Sequence, residues 1–166
     1  MKRIEGEWRY FDEALNMPYP WYTKPALEVI DKLILRKKRV FEYGCGDSTK
    51  WYRAKGAQVF GVDTDMKWAE QCGVKHEAFF PAYVDYIELC GTYCFDIVVI
   101  DGLWRDECTN KALQYLKVGG LLIIDNYLQP SVEMNWEKTN RLIEGMNFKI
   151  YKEPYHEDWQ TLILRK

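Results

Sequence analysis

Neither basic nor acidic residues are in clear excess: 23 basic and 25 acidic side chains leave a formal net charge of -2 across 166 residues. Such a balance supplies no broad field for nucleic acid or for an anionic membrane surface. The one basic run, Arg36-Lys37-Lys38-Arg39, falls where a helix should end, so it reads as a solvated cap favoured by the helix dipole. Histidine is scarce, and His76 and His156 lie far apart. The five cysteines (Cys45, Cys72, Cys90, Cys94, Cys108) include no Cys-x-x-Cys pair. A zinc site is therefore not expected, and free thiols in a reducing cytoplasm are. The opening MKRIEGEWRYFDEA has no apolar leader core, and no run approaches the length that spans a membrane. Repeats and low-complexity linkers are absent too.

What is plentiful is aromatic: Trp 7, Tyr 12 and Phe 7, in a chain that is 48% hydrophobic. That excludes disorder and predicts aromatic clusters in a core, a pocket wall or an interface. The length suits one domain, residues 1–166, with 1–24 as a lid or interface segment in which Trp8, Tyr10 and Phe11 contact a second subunit or pack on their own chain.

The remainder alternates between strand and helix. Pro25 opens an apolar helical stripe running to Ile34. Strands are expected at Val40–Tyr43, Val59–Val62, Val74–Glu77, Phe95–Gly102 and Leu121–Ile124, the fourth being a β-branched run of the kind buried on both faces of a parallel sheet. Helices are expected from Ser48 to Lys55, from Asp65 to Gly73, from Ala82 to Leu89, from Glu107 to Lys117 and from Pro130 to Gly145. Phe148–Tyr151 and Thr161–Leu164 are too close for a crossover helix and should pair antiparallel. The fold class is thus α/β: a Rossmann-like, mostly parallel sheet with helices on both faces and an antiparallel C-terminal hairpin.

The richest stretch is RVFEYGCGDSTKWYRAKGAQVFGVDTD, from Arg39 to Asp65. Gly44 and Gly46 sit where a ligand must approach backbone, and Asp63 ends the next strand where an acid can hold ribose hydroxyls. Thr49 occupies the place of the third glycine in Gly-x-Gly-x-x-Gly, which argues against a pyrophosphate-bearing nicotinamide or flavin cofactor.

The chain resembles the class I S-adenosylmethionine-dependent methyltransferases, particularly a small bacterial-type group, through PWYTKPALEVID, VFEYGCGDST, GVDTDMKW, FDIVVIDG, LKVGGLLIIDN and WQTLILRK in that order. The resemblance implies that S-adenosylmethionine is the cofactor. It places Glu42, Tyr43 and the loop Gly44, Gly46 and Ser48 against the methionine moiety, Asp63 on the ribose, and Thr64 with Asp65 beside the adenine. It also folds Trp21, Tyr22 and Thr23 over the pocket. Phe79-Phe80-Pro81 either line the adenine slot or pack under a turn.

Asp101 ends the fourth strand and Asp125-Asn126 the fifth, so all three should gather on the carboxyl rim of the sheet. This rim resembles that of catechol O-methyltransferase-like enzymes, which implies a magnesium site at Asp101, Asp125 and Asn126. The alternative has Asp101 orienting cofactor or substrate while Asp125-Asn126 turn the chain through Asx bonds. Arg105 stands near the place of those relatives' lysine base. It cannot deprotonate, so beside Asp101 it would bind an anion or a carboxylate. Asp106 and His156 are the other candidates for proton acceptor. The expected activity is methyl transfer to an oxygen of a small or sugar-like molecule. The alternatives are N-methylation and a non-catalytic donor-binding module. The Asn/Asp-Pro-Pro-Tyr motif of nucleic-acid and protein amide methylation is absent.

Overall fold

In the computed structural model, which describes all residues except 5, 6, 92–94 and 129–135, a seven-stranded sheet organises the chain. Its core strands are largely apolar runs whose alternate side chains enter two separate apolar layers.

The N-terminal segment makes two small antiparallel pairs, β1 (Lys2–Ile4) with β2 (Glu7–Arg9) and β3 (Phe11–Asp12) with β4 (Met17–Pro18). Helix α1 (Lys24–Ile30) follows. Alternation then runs through β5 (Arg39–Tyr43), α2 (Asp47–Ala54), β6 (Gln58–Asp63), α3 (Met66–Cys72), β7 (Lys75–His76), α4 (Ala82–Leu89), β8 (Phe95–Ile100), α5 (Arg105–Tyr115) and β9 (Leu116–Ile124). The chain ends in α6 (Glu137–Ile143), β10 (Asn147–Glu153) and β11 (His156–Arg165). The strand order is β10-β11-β9-β8-β5-β6-β7. Every pair from β9 to β7 is parallel, and β11 and β10 are antiparallel. The hairpin expected at the C-terminus is present, with its second strand lying against β9.

On β5 the pleat sends Val40 to the layer under α1 and α2, with Tyr22, Ile30, Trp51 and Tyr52. Phe41 and Tyr43 go to the opposite layer, with Tyr83, Ile87, Phe95 and Leu116. Glu42 shares parity with Val40 and so belongs to the α1/α2 side.

Three expectations are corrected. Helix α1 stops at Ile30, because the chain must turn into β5. Leu35 is buried while Ile34 points outward. Arg36, Lys37 and Lys38 of the basic run consequently lie in that turn and cap no helix, Arg39 opens β5, and Lys38 pairs with Asp96 at 3.3 Å. Strand β9 begins at Leu116, taking Gly119-Gly120 into an irregular stretch of its pairing with β8. The first part of the helix expected over Pro130 to Gly145 lies outside the described residues, as does Cys94. Among the described residues, no helix is long and apolar enough to cross a membrane.

Candidate functional site

The turn between β5 and α2 is shaped by its two glycines, for different reasons. Gly44 has φ +81°, and a Cβ there would stand 2.7 Å from the backbone of Asp101 and Gly102. Its requirement comes from the neighbouring strand end and not from a ligand. Gly46 precedes α2, and a Cβ there would meet nothing within 4 Å. This is the glycine whose bare backbone opens onto a cleft. Asp63 fixes the turn from β6: Oδ2 accepts from Cys45 N–H and Oδ1 from Asp65 N–H, both at 2.7 Å. The carboxylate expected on a ribose therefore staples two loops together, with one lone pair left on each oxygen. Asp65 caps α3 through Trp68 N–H. The Cys45 thiol is packed against Glu42 O and Val62 O, and burial pushes it well up in pKa, which removes thiolate chemistry.

Behind the turn, Glu42 is fully buried. Thr49 Oγ1 donates to its Oε2 at 2.5 Å and accepts from Gly46 N–H at 3.2 Å. Oε1 has no hydrogen-bond partner, and the buried hydroxyls of Tyr22 and Tyr52 lie near it and beside one another. Burial raises the Glu42 carboxyl from 4.5 to about 7, against the hydroxyls of Thr49 and Ser48, which lower it.

The cleft in front has a volume of about 410 Å³, within the usual range for a small-molecule site. Cys45, Gly46, Asp47 and Ser48 form its base, Asp101 closes one end, and Trp21 is a half-exposed wall. Arg9, Pro18, Lys50, Trp68 and Gln71 complete it, residues that the motifs did not single out as ligand contacts. Arg9 lies over the Trp21 ring at 4.4 Å and pairs with Asp47 at 3.3 Å, fastening the N-terminal segment to the start of α2. Trp68 and Gln71 lie one helical turn apart on α3, and only their shared face with the Gly46 turn marks them.

Other expected contacts do not reach the cleft. Tyr43 points into the opposite layer, where its hydroxyl donates to Val84 O at 2.7 Å, because successive strand residues face opposite ways. Tyr22 is buried behind the wall. Thr23 is also buried, its N–H donating to Thr161 Oγ1 at 3.1 Å and its hydroxyl to Tyr151 O at 3.3 Å. Thr64 offers its carbonyl to His76 Nε2. Phe79 and Phe80 are exposed, Phe80 packing on Trp104 at 5.8 Å.

At the rim, Arg105 is a clamp. It is buried, and its guanidinium donates to Gly102 O at 2.9 Å, to Asp125 O, and to Asp101 Oδ1 at 3.4 Å. Asp106 Oδ1 accepts from both the N–H and the hydroxyl of Thr139, which ties α5 to α6. Asp125 is buried with both oxygens engaged: Thr161 Oγ1 donates to Oδ1 at 2.6 Å and Trp159 Nε1 to Oδ2 at 3.3 Å. Burial and then the nearby Asp101 raise the Asp125 carboxyl well above the ordinary carboxylate range. Burial likewise raises Asp101, against the pull of Arg105. Asn126 turns the chain with φ +51°.

This donor set does not fit magnesium. A hard cation needs charged, accessible carboxylate oxygens, whereas Asp125 is buried with a hydrogen bond on each oxygen and its charged form disfavoured, and Asp101 already faces a guanidinium. Among the described residues, no three His, Cys, Asp or Glu side chains converge as a metal group.

No protein-family model and no curated protein matches the chain. Solved structures do. An S-adenosylmethionine-dependent methyltransferase from Mesorhizobium loti superposes with TM-score 0.59 at 16% identity, over 86% of this chain and 96% of that one. A candidate caffeoyl-CoA O-methyltransferase from Staphylococcus aureus gives 0.63 at 15% identity, over 89% and 86%. The Burkholderia thailandensis 1,6-didemethyltoxoflavin-N1-methyltransferase, solved with its namesake compound and S-adenosylhomocysteine, gives 0.55 at 17% identity, over 86% and 77%. At these identities the likeness establishes architecture.

Proposed function

We propose that this chain, which has the class I methyltransferase fold, binds S-adenosylmethionine over Gly46–Ser48 and transfers its methyl group to an oxygen of a small molecule. The observation that carries the reading is the buried Oε1 of Glu42, an acceptor without a partner directly behind a glycine turn that opens onto a cleft. An unpaired buried acceptor is costly, and the ammonium of an amino acid tail, directly or through one water, would satisfy it. Asp101 at the end of the cleft adds negative charge suited to a sulfonium.

In the transfer, an acceptor lone pair forms the O–C bond to the methyl carbon as the C–S bond breaks. The bonding pair goes to sulfur, leaving a neutral thioether, and the acceptor proton passes to a base or to water. Positioning and exclusion of water supply much of the rate in such a displacement. The chain's contribution is to hold the donor against α2 and the tip of β8. No magnesium step is invoked.

One observation favours a second reading. Arg105 is consumed by structural bonds and Asp106 has one oxygen tied to Thr139, which suits a donor-binding module without turnover, and nitrogen acceptors compete with oxygen. Calorimetry with S-adenosylhomocysteine tests the shared premise: saturable heat is expected, and its absence overturns the proposal. Release of that thioether from S-adenosylmethionine with a panel of phenols, sugars and amines then separates enzyme from module and oxygen from nitrogen.

A further inference from the structure

We infer that a second cleft, between the N-terminal segment and the β10–β11 hairpin, is the acceptor subsite, built for a single aromatic ring bearing a hydroxyl. The inference rests on the donor site proposed above and names the substrate class that would meet it. The cleft has a volume of about 170 Å³, and a cavity of roughly 150 Å³ already holds benzene. Its aromatic walls are Tyr10, Trp21, Tyr155 and Trp159. Arg9 and Trp21 line this cleft and the donor cleft alike, so the two meet at one side-chain layer.

The hydrogen-bonding inventory selects the ligand. Tyr10 donates to Glu153 Oε1 at 2.9 Å, and Glu153 Oε2 accepts from Lys24 N–H at 2.8 Å. The Trp159 N–H is given to Asp125, and one Arg9 nitrogen pairs with Asp47. Among the described residues, the His156 imidazole and the Tyr155 hydroxyl make no hydrogen bond. A sugar would bring several hydroxyls against four aromatic faces, which offer it little hydrogen bonding. A cationic amine would meet a π face of Trp21 already taken by Arg9. A phenolic ring needs stacking surface and one partner for its oxygen, which His156 supplies together with a place for the departing proton.

Both test residues, Tyr155 and His156, are exposed, so their replacement spares the fold. Phenol, methyl glucoside and S-adenosylhomocysteine are titrated separately into wild type, Tyr155→Ala and His156→Gln. Phenol should bind wild type and lose about tenfold in affinity in each variant, while the affinity for S-adenosylhomocysteine is unchanged. Binding of S-adenosylhomocysteine without phenol overturns this subsite and leaves the donor reading intact. So does binding of methyl glucoside in place of phenol, or phenol binding indifferent to both substitutions. Failure of S-adenosylhomocysteine itself removes the donor reading and this one with it.

Discussion

Thr49 donates a 2.5 Å hydrogen bond to one oxygen of Glu42, while the other oxygen of the same carboxylate is buried without a partner. The pair couples helix α2 to strand β5 and leaves half of a buried acid for a ligand. Its thermodynamic consequence has a definite sign. The Glu42 carboxyl is raised from 4.5 to about 7 in the folded chain, so between those values the native state holds a proton that the unfolded state has lost. Stability therefore falls as pH rises from 4.5 to 7, by up to about 3 kcal/mol.

Glu42→Gln removes the buried charge and keeps the shape. Denaturant melts should show the variant gaining stability over wild type as pH passes from 5 to 8, with little difference at pH 4. Its affinity for S-adenosylhomocysteine should fall. The wild-type affinity should rise through pH 7, as the carboxylate that pairs with an ammonium forms. A flat difference in stability across that range would disprove the assignment.

Gly44 and Gly46 should fail differently. Gly44→Ala places a Cβ 2.7 Å from the Asp101 backbone at a left-handed φ, at a cost of roughly 2–5 kcal/mol. Gly46→Leu projects into open space, so it should melt close to wild type and lose donor binding. Thermal melts and calorimetry on the two variants separate the roles.

Lys50 lines the cleft over Gly46, 5.4 Å from the Trp68 ring and 3.7 Å from Asp47. As a cation beside the proposed amino acid tail, it should favour the tail's carboxylate. Lys50→Ala should weaken S-adenosylhomocysteine by about five- to twentyfold and leave 5′-methylthioadenosine, which has no such carboxylate, unaffected. Equal losses for the two ligands would place Lys50 elsewhere.

Arg105 gives a stability prediction. It is buried and holds the carbonyls of Gly102 and Asp125 together with Asp101. A lysine has no planar fork to serve those acceptors, so Arg105→Lys should lower stability by roughly 2–4 kcal/mol in denaturant melts. A variant that melts like wild type but loses turnover would instead make Arg105 a catalytic group.

Much of the frame was legible before folding. The β-branched run Phe95–Ile100 announced a central parallel strand. The short spacing before Thr161 announced a hairpin, because no crossover helix fits there. Parity along β5 was also in the sequence, and applied to Tyr43 it would have sent that ring away from Glu42. The end of α1 at Ile30 was not legible, since the apolar stripe continues to Ile34 and only the turn into β5 interrupts it. Nor were Trp68 and Gln71, which become cleft residues because α3 packs its first turns beside Gly46.

The sequence by itself determined the layers and the strand ends, because periodicity and glycine placement act over a few residues. Tertiary structure decided which polar groups remained available. Asp63 and Asp125 accept a hydrogen bond on each oxygen, from partners 2 to 36 positions away, while Glu42 keeps one oxygen free. A carboxylate's chemistry depends on what occupies its lone pairs, and that is set by neighbours distant in the chain.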